Sequence, residues 1–217
     1  MNRYELLVFD WDGTLMDSTA WIAIALQQAC RDRGLAVPDD QAAKFVIGLG
    51  LADTMRHIAP GLDAEGQRLL AERFRVHYLA GENEIPVYAG VPEMLEDLAV
   101  RGQRLGIATG KARRGLDRVL ETTGLARHFE ITRCADEGFS KPHPGMLLHI
   151  FDAAGVAPGS ALMIGDTTHD LELAANAGCD ALAVCYGAHP EPTLRGKAAR
   201  DYLPTVEALH QWLTTPR

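Results

Sequence analysis

Five short stretches of this 217-residue chain carry side chains that could do chemistry together. They are Asp10-Trp11-Asp12-Gly13-Thr14, Thr109-Gly110-Lys111, Lys141-Pro142, Gly165-Asp166, and Asp170 one helical turn further on. Carboxylates gathered at such density stay ionised in a partly buried cleft only if cations join them. All-oxygen donors favour a hard divalent ion, and few protein ligands with several waters favour Mg²⁺ over Ca²⁺. With Mg²⁺ beside Lys141 the cluster comes close to neutrality, and an anionic group such as a phosphate can then approach through the metal. Singly, each stretch has an ordinary explanation. Asp-x-Asp-Gly is a common turn, Thr109 can end a strand, Asp166-Thr167-Thr168 can cap a helix, and Lys141 can be a solvated loop residue. Their joint placement is what speaks for chemistry.

That placement depends on the elements between them. Leu6-Leu7-Val8-Phe9 is a continuous apolar run ending at Asp10, as expected of a strand buried on both faces. Similar runs cover 104–109, 161–165 and 181–185, with a weaker one at 129–132. Helical patterns alternate with them over 92–101, 113–123, 144–154, 168–177 and 205–213. Gly102, Gly124, Gly155 and Gly178 stand where left-handed caps are wanted. Strands alternating with single helices predict a parallel, doubly wound α/β sheet, which binds ligands beyond the carboxyl ends of its strands. All the stretches named above fall at such ends. Residues 17–84 break the rhythm with four consecutive helical patterns and no strand. The chain therefore divides into an α/β core, 1–16 and 85–217, and a helical insertion, 17–84, after the first strand.

Composition narrows the partners. Apolar residues at 47% and charged residues at 23% are those of a globular protein. With 29 acidic against 21 basic residues the net charge is −8, which argues against nucleic acid and anionic membranes as partners. A small anionic substrate remains compatible wherever positive charge is local. No segment reaches the roughly 18–20 apolar residues of a membrane span, and the apolar run after Met1-Asn2-Arg3-Tyr4-Glu5 is too short for a signal peptide. Cys30, Cys134, Cys179 and Cys185 show no Cys-x-x-Cys spacing and are expected as buried free thiols in a cytoplasmic protein. A monomer and a homodimer are both open.

Asp10-Trp11-Asp12-Gly13-Thr14-Leu15-Met16-Asp17-Ser18, then Thr109-Gly110, then Lys141-Pro142, then Gly165-Asp166-Thr167-Thr168-His169-Asp170 followed by Ala177-Gly178, resembles the haloacid dehalogenase superfamily. Within it the chain is most similar to phosphoglycolate-phosphatase-like hydrolases with a helical cap. The resemblance implies a Rossmann-like core with an inserted α-helical bundle, and a Mg²⁺-dependent phosphomonoester hydrolase acting on a small phosphorylated metabolite. Asp10 would be the nucleophile that takes the phosphoryl group. Asp12 would protonate the leaving oxygen and then activate water. Thr109 and the Gly110 amide would hold phosphoryl oxygens, and Lys141 would neutralise charge. Asp10, Asp12 through its carbonyl, and Asp166 would bind Mg²⁺, with Asp170 in support. The cap would contact the leaving group through Trp21, Ile47, Gly48 and Leu49. Lys111, crowded with Arg113 and Arg114 at the start of a helix against the macrodipole, could reach a distal carboxylate of the substrate.

Other readings are weaker. Dehalogenases of the superfamily need no second acid, and phosphonate-cleaving members replace it and add a cap lysine. Asp12 is present here, and Lys44, the single lysine of 17–84, reads as a surface residue. Phosphosugar mutases carry a histidine ten residues beyond the second Asp, where this chain has Ile22. A receiver-like switch or a catalytically silent interaction protein would need neither the cap nor the full motif set. Gly106 to Lys111 misses the phosphate-loop spacing and lacks its Ser or Thr, and Gly48-Leu49-Gly50 lacks the third glycine of a dinucleotide site. His169 is expected to face solvent, and His143 to sit in a loop.

Overall fold

The apolar runs become the strands of one parallel sheet. The computed structural model describes residues 4–215. Residues 1–3 and 216–217, assigned above to the core, lie outside the described residues, and so does the start of the N-terminal stretch compared with a signal peptide. In chain order, β1 (Leu6–Phe9) is followed by four helices, α1 (Thr19–Asp32), α2 (Asp40–Phe45), α3 (Leu51–Ile58) and α4 (Ala64–Leu79). The alternation then runs α5 (Val91–Val100), β2 (Arg104–Thr109), α6 (Arg113–Thr123), β3 (Ile131–Cys134), α7 (Gly145–Ala154), β4 (Ala161–Gly165), α8 (Thr168–Ala177) and β5 (Asp180–Val184). A short α9 (Glu191–Leu194), β6 (Tyr202–Leu203) and α10 (Val206–Thr214) complete the chain.

The strand order is β3-β2-β1-β4-β5-β6. β1 is central, with Phe9 level with Ile107 of β2 and Ile164 of β4. Leu7 and Phe9 enter one apolar layer, with Met94, Leu98, Leu116 and Leu209. Leu6 and Val8 enter the other, with Leu147, Ile150, Leu171 and Leu173. Helices on both faces thus explain why the strands read as unbroken apolar runs rather than as alternation. The chain reverses direction across the sheet between β1 and β4, and the crevice that opens there is where such sheets bind ligands.

The helices between β1 and the rest of the sheet have an apolar core of their own, built on Leu26, Cys30, Val46, Met55 and Leu70. Asp39 and Asp63 cap α2 and α4 by accepting from the amides of Ala42 and Gly66. The two passages between insertion and sheet are tied together: Met16 forms an antiparallel bridge with Val87, and the Tyr88 amide donates to the Leu15 carbonyl at 3.0 Å. Gly124, Gly155 and Gly178 take the left-handed caps expected of them. The cysteines are free, Cys30 and Cys134 buried and the other two half-buried. No helix among the described residues is long and apolar enough to cross a membrane.

Candidate active site

β1 delivers Asp10 to the crevice, with its amide bonded at 2.8 Å to the Ile164 carbonyl of β4. β4 delivers Asp166 to the same place, and the first turn of α8 adds Asp170. The three carboxylates are buried, and one oxygen from each lies within 4.8 Å of the other two. Local structure fixes them. Thr14 Oγ1 donates to Asp166 Oδ1 at 2.8 Å and the Ala188 amide to Oδ2 at 2.7 Å. Asp170 closes a capping box on Thr167, accepting from its amide at 3.0 Å and its hydroxyl at 2.6 Å. Gly13 turns the loop at φ +86°, and any Cβ there would collide with the Asp166 carboxylate.

Lys141 reaches into this cluster fully buried, its Nζ 2.7 Å from both Asp10 Oδ1 and Asp170 Oδ1. Burial alone would lower its ammonium, but Asp10 and Asp170 outweigh that and hold it above its ordinary range. The ammonium thus pairs with Asp10 Oδ1, while Oδ2 has no hydrogen-bond partner. Burial pushes Asp10 well above the usual carboxylate range against the pull of Lys141. Asp166 is pushed up to about 7 by burial and by the Asp170 charge. Replacing Lys141 leaves three buried acids without their cation. Breaking a buried pair costs about 3–5 kcal/mol, so Lys141→Met should lower the metal-free melting temperature by about 6–20 °C. A change under about 2 °C in a thermal melt would contradict that role.

The donor set fits a hard divalent cation: oxygen atoms alone, three buried carboxylates against one ammonium, and an Asp10 Oδ2 without a hydrogen-bond partner. Asp12 stands apart. Its carboxylate accepts from Ser18 Oγ at 2.7 Å and from Lys111 Nζ at 3.0 and 3.2 Å, and it is not in the acidic cluster. Contact between Asp12 and a metal would therefore involve its main chain, not its side chain.

A cavity of about 580 Å³ opens from Asp10 and Asp12 towards the helical insertion. Ile47, Gly48, Leu49, Gly110 and Lys111 line it as expected. Gly110 is in close contact with the insertion, since a Cβ there would lie 2.6 Å from the Gly48 and Leu49 carbonyl oxygens. Thr109 is buried behind it, and its hydroxyl accepts from the Lys111 amide at 3.1 Å. Two expectations need correction. Trp21 is not in the lining; its indole N–H is committed to the Tyr78 carbonyl at 2.9 Å and its ring packs beneath Gly81. Lys111 is not free for a distal anion, because Asp12 and the Tyr78 hydroxyl, at 2.8 Å, already hold it. Burial lowers that ammonium, but Asp12 and Tyr78 raise it further, to a net upward shift. Burial and the Asp12 charge push Tyr78 up to about 12.

His169 is also corrected: it is buried, not solvent-facing. Its Nε2 donates to the Phe45 carbonyl at 2.8 Å, and His189 Nε2 lies 3.0 Å from the same oxygen. The Phe45 ring stacks on His189 with centroids 5.1 Å apart. The insertion is thus pinned to the helix that carries Asp170. Of the residues missed in the sequence, Thr14 and Ser18 stood inside the first motif. Tyr78, His189, Leu26 and Phe74 had no local signal, because only the tertiary fold brings them to this crevice.

An acidic pocket at the switch point of a parallel sheet, faced by an inserted helical unit, defines a Rossmann-like α/β core with a helical insertion. The chain belongs to the haloacid dehalogenase-like hydrolases, whose family model matches residues 7–184. It is 34% identical over 196 residues to the Dickeya dadantii protein named Probable phosphatase IndB, covering 88% of this chain and 85% of that one. It is 33% identical over 227 residues to a phosphoglycolate phosphatase of Rhodospirillum rubrum, covering 98% and 92%. A haloacid dehalogenase-like hydrolase from Bacteroides fragilis shares the fold at a TM-score of 0.87, with 24% identity over 95% of this chain and 99% of that one.

Proposed function

We propose that this phosphomonoester hydrolase is Mg²⁺-dependent, works through a phospho-Asp10 intermediate, and acts on a small anionic phosphorylated metabolite. The observation that carries the reading is Asp10 itself: buried at the crevice beside Asp166 and Asp170, with the Lys141 ammonium 2.7 Å from Oδ1 and no hydrogen-bond partner on Oδ2. Asp10, Asp166 and Asp170 would hold the metal, with Asp12 contributing its carbonyl. Bound there, Mg²⁺ supplies neutralisation of the phosphoryl charge.

The chain's own residues then divide the work. An Asp10 oxygen attacks phosphorus and the bond from phosphorus to the leaving oxygen breaks, with the Asp12 proton passing to that oxygen. Water next attacks the phospho-Asp10 phosphorus, Asp12 takes the water's proton, and the acyl oxygen of Asp10 departs with its electron pair. Thr109 and the Gly110 amide bind phosphoryl oxygens, and Lys141 balances the charge of Asp10 and Asp170. Ile22 lining the cavity, where the mutases of the family place a histidine, favours hydrolysis over phosphoryl return. We read 17–84 as the cap and the remainder as the catalytic core, in a cytoplasmic protein.

The metal reading is tested without turnover. Asp10 and Asp166 have folded-state pKa values above their ordinary 3.8, Asp166 near 7, so the folded metal-free protein binds the extra protons. The contribution of Asp166 to stability is complete below about pH 4 and is lost as pH rises through about 7, and the upward shift of Asp10 acts in the same direction. Mg²⁺ needs the deprotonated carboxylates. At 100 times its dissociation constant it adds about 2.7 kcal/mol, or about 5–10 °C in melting temperature. That shift is expected at pH 8 and should be much smaller at pH 5.5, each measured against chelator. Equal shifts at both pH values, or none, would refute the site.

A further inference from the structure

Most arginines of the described chain are committed to carboxylates, but two that line the cavity are not. Arg75, on α4 of the insertion, and Arg114, in the first turn of α6, both face it, and among the described residues neither has an ion-pair partner. Their neighbours do: Arg73 pairs with Asp32, Arg113 with Glu137, and Arg118, in the same cavity, with Glu82. In a chain of net charge −8, two unpaired arginines on one cavity, one from the insertion and one from α6, form a local positive site. Arginine is also the residue best matched to carboxylate and phosphate oxygens.

The same lining carries an apolar set, Leu26, Ile47, Leu51 and Phe74. Its volume of about 580 Å³ lies in the range that takes drug-sized molecules, about 300–1,000 Å³. A two-carbon leaving group would fill little of it and would leave the apolar lining and both arginines unused. We infer that the preferred substrate is a phosphomonoester whose leaving group has an apolar, ring-sized body and a second anionic group at its far end, held by Arg75 and Arg114. The inference rests on the phosphatase reading above and gives it a substrate class. It also relocates the distal-anion contact expected of Lys111, whose ammonium is held by Asp12.

The test uses the full chain with Mg²⁺ and four esters: 2-phosphoglycolate, 4-ethylphenyl phosphate, 3-(4-phosphooxyphenyl)propanoate, and 4-(2-phosphonoethyl)phenyl phosphate. The last carries a second phosphorus group on an uncleavable C–P bond, so the two charged aryl esters separate a carboxylate from a phosphate as the distal anion. At least one of them should exceed the neutral aryl ester about tenfold in kcat/KM, and both aryl classes should exceed 2-phosphoglycolate. Arg75→Gln and Arg114→Gln should each reduce the charged-to-neutral ratio about threefold to tenfold. A ratio near one in the wild type, a ratio untouched by either substitution, or 2-phosphoglycolate as the best of the four would each overturn the inference. Phosphate release from none of the four would instead refute the phosphatase reading, and this inference with it.

Discussion

Asp10→Asn is expected to lower kcat by about 10⁴- to 10⁶-fold, the scale at which loss of a covalent nucleophile is felt. Acid quench after a phosphorus-labelled substrate should trap a labelled wild-type protein and an unlabelled variant. Folding should not be the cause. Lys141 keeps its ion pair with Asp170 when Asp10 is made neutral, and burial already resists Asp10 ionisation. A neutral amide of the same shape removes one like charge from beside Asp166 and Asp170. The metal-free melting temperature should therefore stay level or rise. Label on the variant, or residual activity above about 1% of wild type, would remove Asp10 from the role of nucleophile.

The second large effect belongs to Asp12. General acid–base catalysis contributes about 10²- to 10⁴-fold, so Asp12→Asn should cost that much on an alkyl phosphate, whose leaving oxygen needs a proton. On an activated aryl phosphate the first step needs little help, while water attack on phospho-Asp10 still lacks its base. The variant should then release one equivalent of phenol in a burst and stall as the phosphoenzyme. Asparagine is the right probe because its amide oxygen can still accept from Ser18 and Lys111. Alanine would leave the Lys111 ammonium, 8% exposed, with only the Tyr78 hydroxyl. Equal penalties on both esters and no burst would contradict this division of labour.

Much of this was legible in the chain because chemistry and burial leave local marks. β1, β2, β4 and β5 are buried on both faces and read as apolar runs. α6 and α8 carry helical periodicity, and their observed bounds match the expected ones. β3 was displaced: the edge strand is Ile131–Cys134, half-buried and interrupted by Arg133, so its pattern is weak. β6, two residues long, left no pattern at all. At the site, Asp10, Asp166, Asp170 and Lys141 were found by type and strand position, and they converge. The partners of Lys111 were not, since Asp12 and Tyr78 lie far from it in sequence: Asp12 meets it through the pairing of β1 with β2, and Tyr78 only when the insertion packs on the sheet. Trp21 failed for a related reason. Being apolar and in the insertion made it a candidate lining residue, but the tight approach of Gly81 draws its ring away from the cavity.

The clasp at Met16 and Val87 also bears on how the chain finds its fold. Closing a long loop costs entropy that grows slowly with its length, by about 0.6 kcal/mol per doubling. Taken as open coil, the segment between β1 and β2 would make their pairing a high-contact-order event, the kind that slows folding. The helices in that segment bury their own apolar core, and where the chain leaves and re-enters the sheet its strands are already hydrogen-bonded, Asp17 N to Pro86 O at 3.0 Å as well as Tyr88 N to Leu15 O. To the sheet, the whole insertion is topologically a hairpin turn. Once the clasp is made, only α5 separates it from β2, and β1, the strand that ends at Asp10, meets β2 as in an ordinary strand-helix-strand crossover, with Leu7 level with Leu105.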